Sequence, residues 1–129
     1  MVQSIQDRVY HFKAIGSDDL NILYNNAFCL LYPSSYEGFG IPVAEAMKSG
    51  CPVVSTNRSS IPEVAGHAGL LVNNISTENF ILEIKRLENI NLREEQVQKG
   101  LDQSKKFSWD KCFEETYGFY HDIFNSKWE

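Results

Sequence analysis

Two carboxylates and two glycines crowd into one short stretch, Tyr32-Pro-Ser-Ser-Tyr-Glu-Gly-Phe-Gly-Ile-Pro-Val-Ala-Glu45. If a helix opens near Ile41, Glu45 lies little more than one turn inside it, and Glu37 sits in the loop before it. Both acids then fall near the carboxyl edge of a parallel sheet, where open α/β folds bind their ligands. Between them, Gly38 and Gly40 let the backbone come close to a ligand and present N–H groups at a helix N-terminus. That arrangement suits an anion, phosphate above all. An anion beside two glutamates calls for a ligand with two kinds of group: phosphate for the amides, and hydroxyls that donate to the carboxylates. A nucleotide sugar has both. Spacing alone also fits a plainer reading, a capped and solvated helix start, and Phe39 serves equally as a ligand stack or a core anchor.

Other reactive residue types form no pattern. His11, His67 and His121 occur singly, and Cys29, Cys51 and Cys112 never form a CxxC pair. Neither a metal site nor a disulfide framework follows from such spacing. The cysteines read as core fillers and the histidines as structural or surface residues.

The glutamate stretch must be held by strands and helices in alternation. Arg8-Val-Tyr-His-Phe-Lys13 alternates in the manner of a short strand, and Ser17-Asp-Asp19 reads as an N-cap cluster ahead of a helix carrying Leu20, Leu23, Tyr24 and Ala27. Phe28-Cys-Leu-Leu-Tyr32 is continuously apolar, as a buried parallel strand should be, and Pro33 ends it. A loop from Ser34 to Gly40 leads to a helix over about 41–48, with Pro42 in its first turn and Gly50 at its C-terminal cap. Pro52-Val-Val-Ser55 and Gly69-Leu-Leu-Val72 predict two more strands, separated by a polar turn and a one-turn helix from Ile61. Ser76 caps a helix to about Glu88, and a second helix covers about 91–105. The last helix, over about 108–126, places Trp109, Phe113, Tyr117, Tyr120, Phe124 and Trp128 on one face. The pattern is α/β with a parallel sheet and flanking helices.

The 129 residues make one domain with room for a core. Hydrophobic residues at 43% and charged residues at 22% exclude a disordered chain. The net charge of −5 argues against nucleic acid or an anionic membrane as partner. Residues 1–8 lack the apolar core of a signal peptide, and the longest apolar run, Ala27–Tyr32, is far short of a membrane span. The expectation is a cytoplasmic chain with no transmembrane segment.

The segment Glu37-Gly-Phe-Gly-Ile-Pro-Val-Ala-Glu45, with Pro33-Ser34 before it and Gly50-Cys-Pro-Val-Val54 after it, resembles the EX7E signature of glycosyltransferase family 4. That family, the glycosyl transferases group 1, comprises retaining, nucleotide-sugar-dependent enzymes of GT-B fold. The likeness extends along the chain. Asp19-Leu20 with Leu23-Tyr24 and Ala27 is similar to the helix ahead of the motif strand. Ser59-Ser-Ile-Pro-Glu-Val64 resembles the short helix after the next strand, Gly69-Leu-Leu-Val72 the strand beyond, and Phe107-Ser-Trp109 the start of the closing helix.

The resemblance implies a Rossmann-like sheet, the latter part of a GT-B C-terminal domain that binds the donor. It implies that Glu37, as the catalytic position, hydrogen-bonds hydroxyls of the donor sugar, and that Glu45 accepts from the two ribose hydroxyls. Backbone amides around Gly38, Phe39, Gly40 and Ile41 would contact the sugar and diphosphate, while Lys13 and Ala14 would border the nucleobase. No cofactor, metal or protein nucleophile is implied, since charge stabilises the leaving diphosphate. Lys13 departs from the pattern, standing where a Gly is common. The resemblance does not reach the acceptor-binding domain, or the stretch that supplies an Arg and a Lys to the diphosphate; Arg58 is the one basic residue in a nearby loop. One lost donor of this kind costs about 10²–10³ in rate, so little or no turnover is expected of this polypeptide alone. It would then be a truncated product or one part of a split enzyme, with an N-terminal-domain polypeptide as partner. A non-catalytic protein-interaction module derived from such an enzyme is the alternative, and a GT-B epimerase fits the motif less well. The aromatic face of the last helix further predicts a homo-oligomer, through residues near Tyr117 to Trp128.

Overall fold

A computed structural model describes residues 8–126. The elements are helix α1 (Ser17–Asn26), strand β1 (Leu30–Tyr32), helix α2 (Ile41–Lys48), strand β2 (Val53–Thr56), helix α3 (Ile61–Ala65), strand β3 (Gly69–Val72), and helices α4 (Thr77–Arg86), α5 (Ile90–Ser104) and α6 (Trp109–Ser126). A single 3₁₀ turn, Gly66–Ala68, joins α3 to β3. The three strands form one parallel sheet in the order β1-β2-β3, with Leu30 opposite Val53 and Val53 opposite Gly69. The fold is Rossmann-like α/β, as the alternation of patterns predicts.

Two cores flank the sheet because successive residues of β2 point to opposite faces. Val53 faces a cluster with Tyr24, Val43, Ala46, Met47, Ile61 and Val64, which covers the sheet with α1, α2 and α3. Val54 faces a smaller cluster with Leu70, Val72, Phe80 and Leu87, which covers it with α4. All four residues of β2 are buried, as a central strand between two helical layers should be. Burial pushes the Cys51 thiol up to about 11, so it packs in the first core as an inert, protonated group.

Three expectations are corrected. Residues 8–13 form no strand: every residue of the segment is exposed, and alternation alone supplies no neighbour to pair with. The strand expected over 28–32 is shorter, Leu30–Tyr32, and is not fully buried. It lies at a sheet edge with Leu31 45% exposed, because the cluster under Val54 draws only Cys29 from this side. At α1 the cap is Gly16, without a side-chain cap bond, so Ser17, Asp18 and Asp19 form the first turn instead. Their carboxylates still meet the positive end of the helix dipole.

The helices end where local chemistry says they should. Ser76 Oγ accepts from Asn79 N at the start of α4, and Asn89 Oδ1 accepts from Asn91 N and Leu92 N at the start of α5. Helix α5 lies against α2, where Gly100 sits so close that an added Cβ would stand 3.4 Å from Met47 Cγ. The expected closing helix is present, but none of its residues is buried. Trp109, Phe113, Tyr117, Tyr120 and Phe124 are between 62% and 78% exposed. Trp128 lies outside the described residues. Among those residues, no helix is long and apolar enough to cross a membrane.

Met47, 1% exposed, joins α2 to the first core. Met47→Ala removes its side chain from a site that α5 closes from above, and is expected to cost about 2–5 kcal/mol in urea unfolding. A loss below about 0.5 kcal/mol would show that α2 and α5 are not packed as described.

Candidate functional site

Leaving β1 at Tyr32, the chain makes a loop over residues 33–40 before entering α2. Gly40 is the N-cap of α2, at φ 95° and ψ 48°. This is the left-handed region, which favours glycine, and an added Cβ would stand 2.8 Å from Ile61 Cδ1, so the isoleucine would have to shift as well. Pro42, in the first turn, has no N–H to leave unpaired. Val43 N and Ala44 N both turn back to Gly40 O. The amides of Gly38, Phe39, Gly40 and Ile41 donate to no protein acceptor among the described residues. They form a row of N–H groups at the positive end of an eight-residue helix.

Glu37 is held rather than hanging into solvent. Its Oε1 accepts from Tyr32 Oη at 2.5 Å and from Ser34 Oγ at 2.7 Å. Oε2 takes no partner among the described residues. The Tyr32 bond, then the Ser34 bond, hold the Glu37 carboxyl below the usual carboxylate range, with partial burial opposing them. The same bond acts in reverse on the phenol: with Glu37 as first cause and burial second, Tyr32 is pushed up to about 12. A carboxylate with a lowered value stabilises the fold at pH above the ordinary carboxylate range, and that contribution fades as pH falls through the folded value. The raised phenol contributes below about pH 10 and loses its contribution as pH rises toward 12. Between those limits the Tyr32–Glu37 bond keeps one proton, on the phenol.

Glu45 is exposed one turn into α2, beyond the row of amides. Its charge reaches the Tyr24 phenol, which is raised first by burial and then by Glu45. Tyr24 in turn contributes, as the smallest cause, to the raised Tyr32 phenol. Phe39 is 42% exposed and meets Phe107 edge-on, ring centres 5.4 Å apart, so it is both an anchor and a partly open ring. Ile41 is 46% exposed. Lys13 and Ala14 are exposed in the segment before α1, and no hydrogen bond or ion pair ties either to the loop. Arg58 follows β2, where its Nη2 donates to Asn73 O at 3.5 Å.

The sequence reading passed over the residues that hold the loop. Tyr32 and Ser34 orient Glu37, and a set of hydroxyls bonds the loop's carbonyls: Ser55 to Tyr32 O, Thr56 to Ser34 O, Ser59 to Glu37 O, and Ser60 to Glu37 O and Phe39 O. One signal was available. Two hydroxyl residues in a strand otherwise built of valine need partners when buried, and the carbonyls leaving the neighbouring strand are the nearest acceptors.

Comparison with known proteins adds the family. The family described as glycosyl transferases group 1 matches residues 3–103. The chain is similar to O-antigen chain mannosyltransferase B of Escherichia coli, 41% identical over 107 residues that make up 82% of this chain and 28% of that protein. It is similar to O-antigen chain mannosyltransferase RfbU of Salmonella typhimurium, 36% identical over 86 residues, 67% of this chain and 24% of that protein. It is also 36% identical, over 100 residues, to the serotype-specific mannosyltransferase WbdA of Escherichia coli, covering 74% of this chain and 12% of that protein. The chain therefore spans about a quarter or less of the length of these relatives.

Tyr32→Phe deletes the larger of the two bonds to Glu37 and is expected to move the Glu37 carboxyl upward, toward the ordinary carboxylate range. The side-chain carboxyl ¹³C titration of Glu37 reads this directly. Ser34→Ala should move it in the same direction by less, and the reverse order would contradict the bonding described.

Proposed function

The chain belongs to the glycosyl transferases group 1 family, and from that membership we propose that it binds the donor of a sugar transfer. In this reading a nucleotide diphosphate sugar lies along the Glu37–Glu45 stretch, and its sugar passes to an acceptor hydroxyl with retained anomeric configuration. The carrying observation is the loop's divided chemistry: a carboxylate with one oxygen bonded and oriented, beside a row of amides that donate to no protein group among the described residues. Glu37 Oε2 is suited to accept from sugar hydroxyls, Glu45 from those of the ribose, and the amides of Gly38 to Ile41 to donate to the diphosphate. Lys13 and Ala14 would border the base. The names of the relatives favour mannose as the sugar.

Charge on the departing diphosphate is the main demand of such a reaction, and fixed donors meet it best. The amides at the start of α2 and the helix dipole offer part of that stabilisation without a metal. Arg58 is the basic residue of the turn after β2, and its guanidinium donates to Asn73 O. We therefore expect these 129 residues to bind donor but to turn over slowly unless another polypeptide segment supplies cations and the acceptor site. The three unpaired thiols fit a reduced, cytoplasmic setting.

Calorimetric titration with UDP, GDP and their sugars, GDP-mannose included, tests the donor reading. Binding at millimolar affinity or tighter is expected, unchanged by EDTA, with Glu45→Ala or Glu37→Gln weakening it about tenfold or more. Absence of binding by every nucleotide tested would leave the second reading, an interaction module. That reading draws on α6, whose exposed aromatic face is suited to a second copy of the chain. Sedimentation at tens of micromolar should show a dimer or larger species, and Phe113→Asp with Tyr117→Asp should return it to monomer. A monomeric parent chain would remove the self-association proposal.

A further inference from the structure

Every hydroxyl-bearing residue in the run 55–60 bonds a carbonyl between Tyr32, at the end of β1, and Phe39 in the loop that carries Glu37. Ser55 Oγ donates to Tyr32 O at 2.6 Å, and Thr56 Oγ1 donates to Ser34 O. Ser59 Oγ donates to Glu37 O at 2.7 Å, while Ser60 Oγ reaches Glu37 O at 3.1 Å and Phe39 O at 2.9 Å. The order is the same on both sides. It begins at the last ladder pair of β1 and β2, Tyr32 opposite Ser55, and continues past the end of β1. Side-chain hydroxyls take over there from the backbone N–H groups of a sheet.

Geometry gives these bonds a consequence for the site. In a trans peptide the C=O and the following N–H point in opposite directions. Drawing the carbonyls of Glu37 and Phe39 toward the 55–60 run therefore turns the N–H groups of Gly38 and Gly40 away from it. These are two of the amides that donate to no protein acceptor among the described residues. Ser59 adds a second observation. Its φ is +52°, the one positive value at a non-glycine residue among those described. A serine held in the left-handed region costs energy that the surroundings must offset, and such positions gather where geometry matters to function. Here the turn lets adjacent hydroxyls, those of Ser59 and Ser60, converge on Glu37 O.

We propose that Ser55, Thr56, Ser59 and Ser60 form one positioning unit that sets the peptide-plane orientation of the Glu37–Gly40 loop and, through it, the affinity for the diphosphate of the donor. The proposal rests on the donor-binding reading above for its ligand, though not for its geometry. Burial divides the unit. Ser55 and Thr56 are 0% exposed and belong to the foundation of the fold, whereas Ser59 and Ser60 lie nearer the surface and can be altered with less effect on folding.

The test compares Ser59→Ala, Ser60→Ala, the double variant and Ser60→Thr in the full chain. GDP-mannose and UDP-glucose serve as probes, alongside thermal midpoints and the NMR resonances of the loop. Each alanine variant is expected to weaken binding about five- to tenfold, and the double variant more. Ser60→Thr keeps a hydroxyl and should restore affinity to within about twofold of the parent, which a loss of packing alone would not do. The Glu37 and Phe39 carbonyl resonances and the Gly38 and Gly40 amide resonances should move in Ser60→Ala and stay in Ser60→Thr. Unchanged affinity in the double variant, or equal impairment by alanine and threonine, would overturn the proposal. If the parent chain binds neither probe, the donor reading fails separately. The positioning unit is then judged on the resonances: displaced in the double variant they uphold it, and stationary they overturn it.

Discussion

A backbone carbonyl removed from water must find a donor, and that requirement governs the region between β1 and α2. Past Tyr32 the first strand has no ladder left to join, yet the chain runs on to Gly40 before a helix can absorb its polar groups. An unmatched buried group costs about 1–3 kcal/mol, so a loop of this kind cannot simply rest on the sheet. β2 answers by ending in Ser55 and Thr56, both fully buried, whose hydroxyls serve the carbonyls of Tyr32 and Ser34. A wholly apolar β2 would pack as well and leave those carbonyls stranded.

The polarity of the loop follows. With the Glu37 and Phe39 carbonyls turned toward the 55–60 run, the N–H groups of Gly38 and Gly40 face the other way, and the dipole of α2 adds to them. Glu37 would be repelled by nothing there but could point anywhere, were it not bonded twice on one oxygen by Tyr32 and Ser34. The result is a negative group and a positive row held side by side by separate sets of bonds. Gly40 makes the junction possible, since its left-handed turn brings the loop within contact of Ile61 and starts α2 in one residue.

Much of this was legible in the sequence, for local reasons. The limits of α2 followed from the loop ending at Gly40, from Pro42 in the first turn and from Gly50 past the last, and the structure places it at Ile41–Lys48. β3 followed from a short apolar run bounded by glycine and asparagine. The errors came where a neighbour decides. Alternation in residues 8–13 looks like a strand, but no sheet edge receives it, and Leu31 looks buried until the reach of α4 is known. Glu37 and Glu45 stood out by type and spacing, although spacing alone fits a capped helix start as well, and the family resemblance is what singled them out. The hydroxyls that orient the loop did not stand out, because serine and threonine suit turns, caps and surfaces equally, and only the sheet register brings Ser55 beside Tyr32. Likewise the aromatic period of α6 was evident, whereas its lack of burial depends on what does or does not pack over it.

The parallel register carries a kinetic cost. No two strands are hairpin partners: β1 meets β2 across 23 residues, and β2 meets β3 across 16. Chain closure over such spans precedes any ladder bond, so each strand pairing carries a loop-closure entropy cost that contacts within a helix do not. The carbonyls of Tyr32, Ser34, Glu37 and Phe39 take their side-chain donors from the far side of that first closure. With β1 undocked from β2, Tyr32 and Ser34 would still lie beside Glu37 in the chain, but the hydroxyls that turn the carbonyls of the loop would be missing.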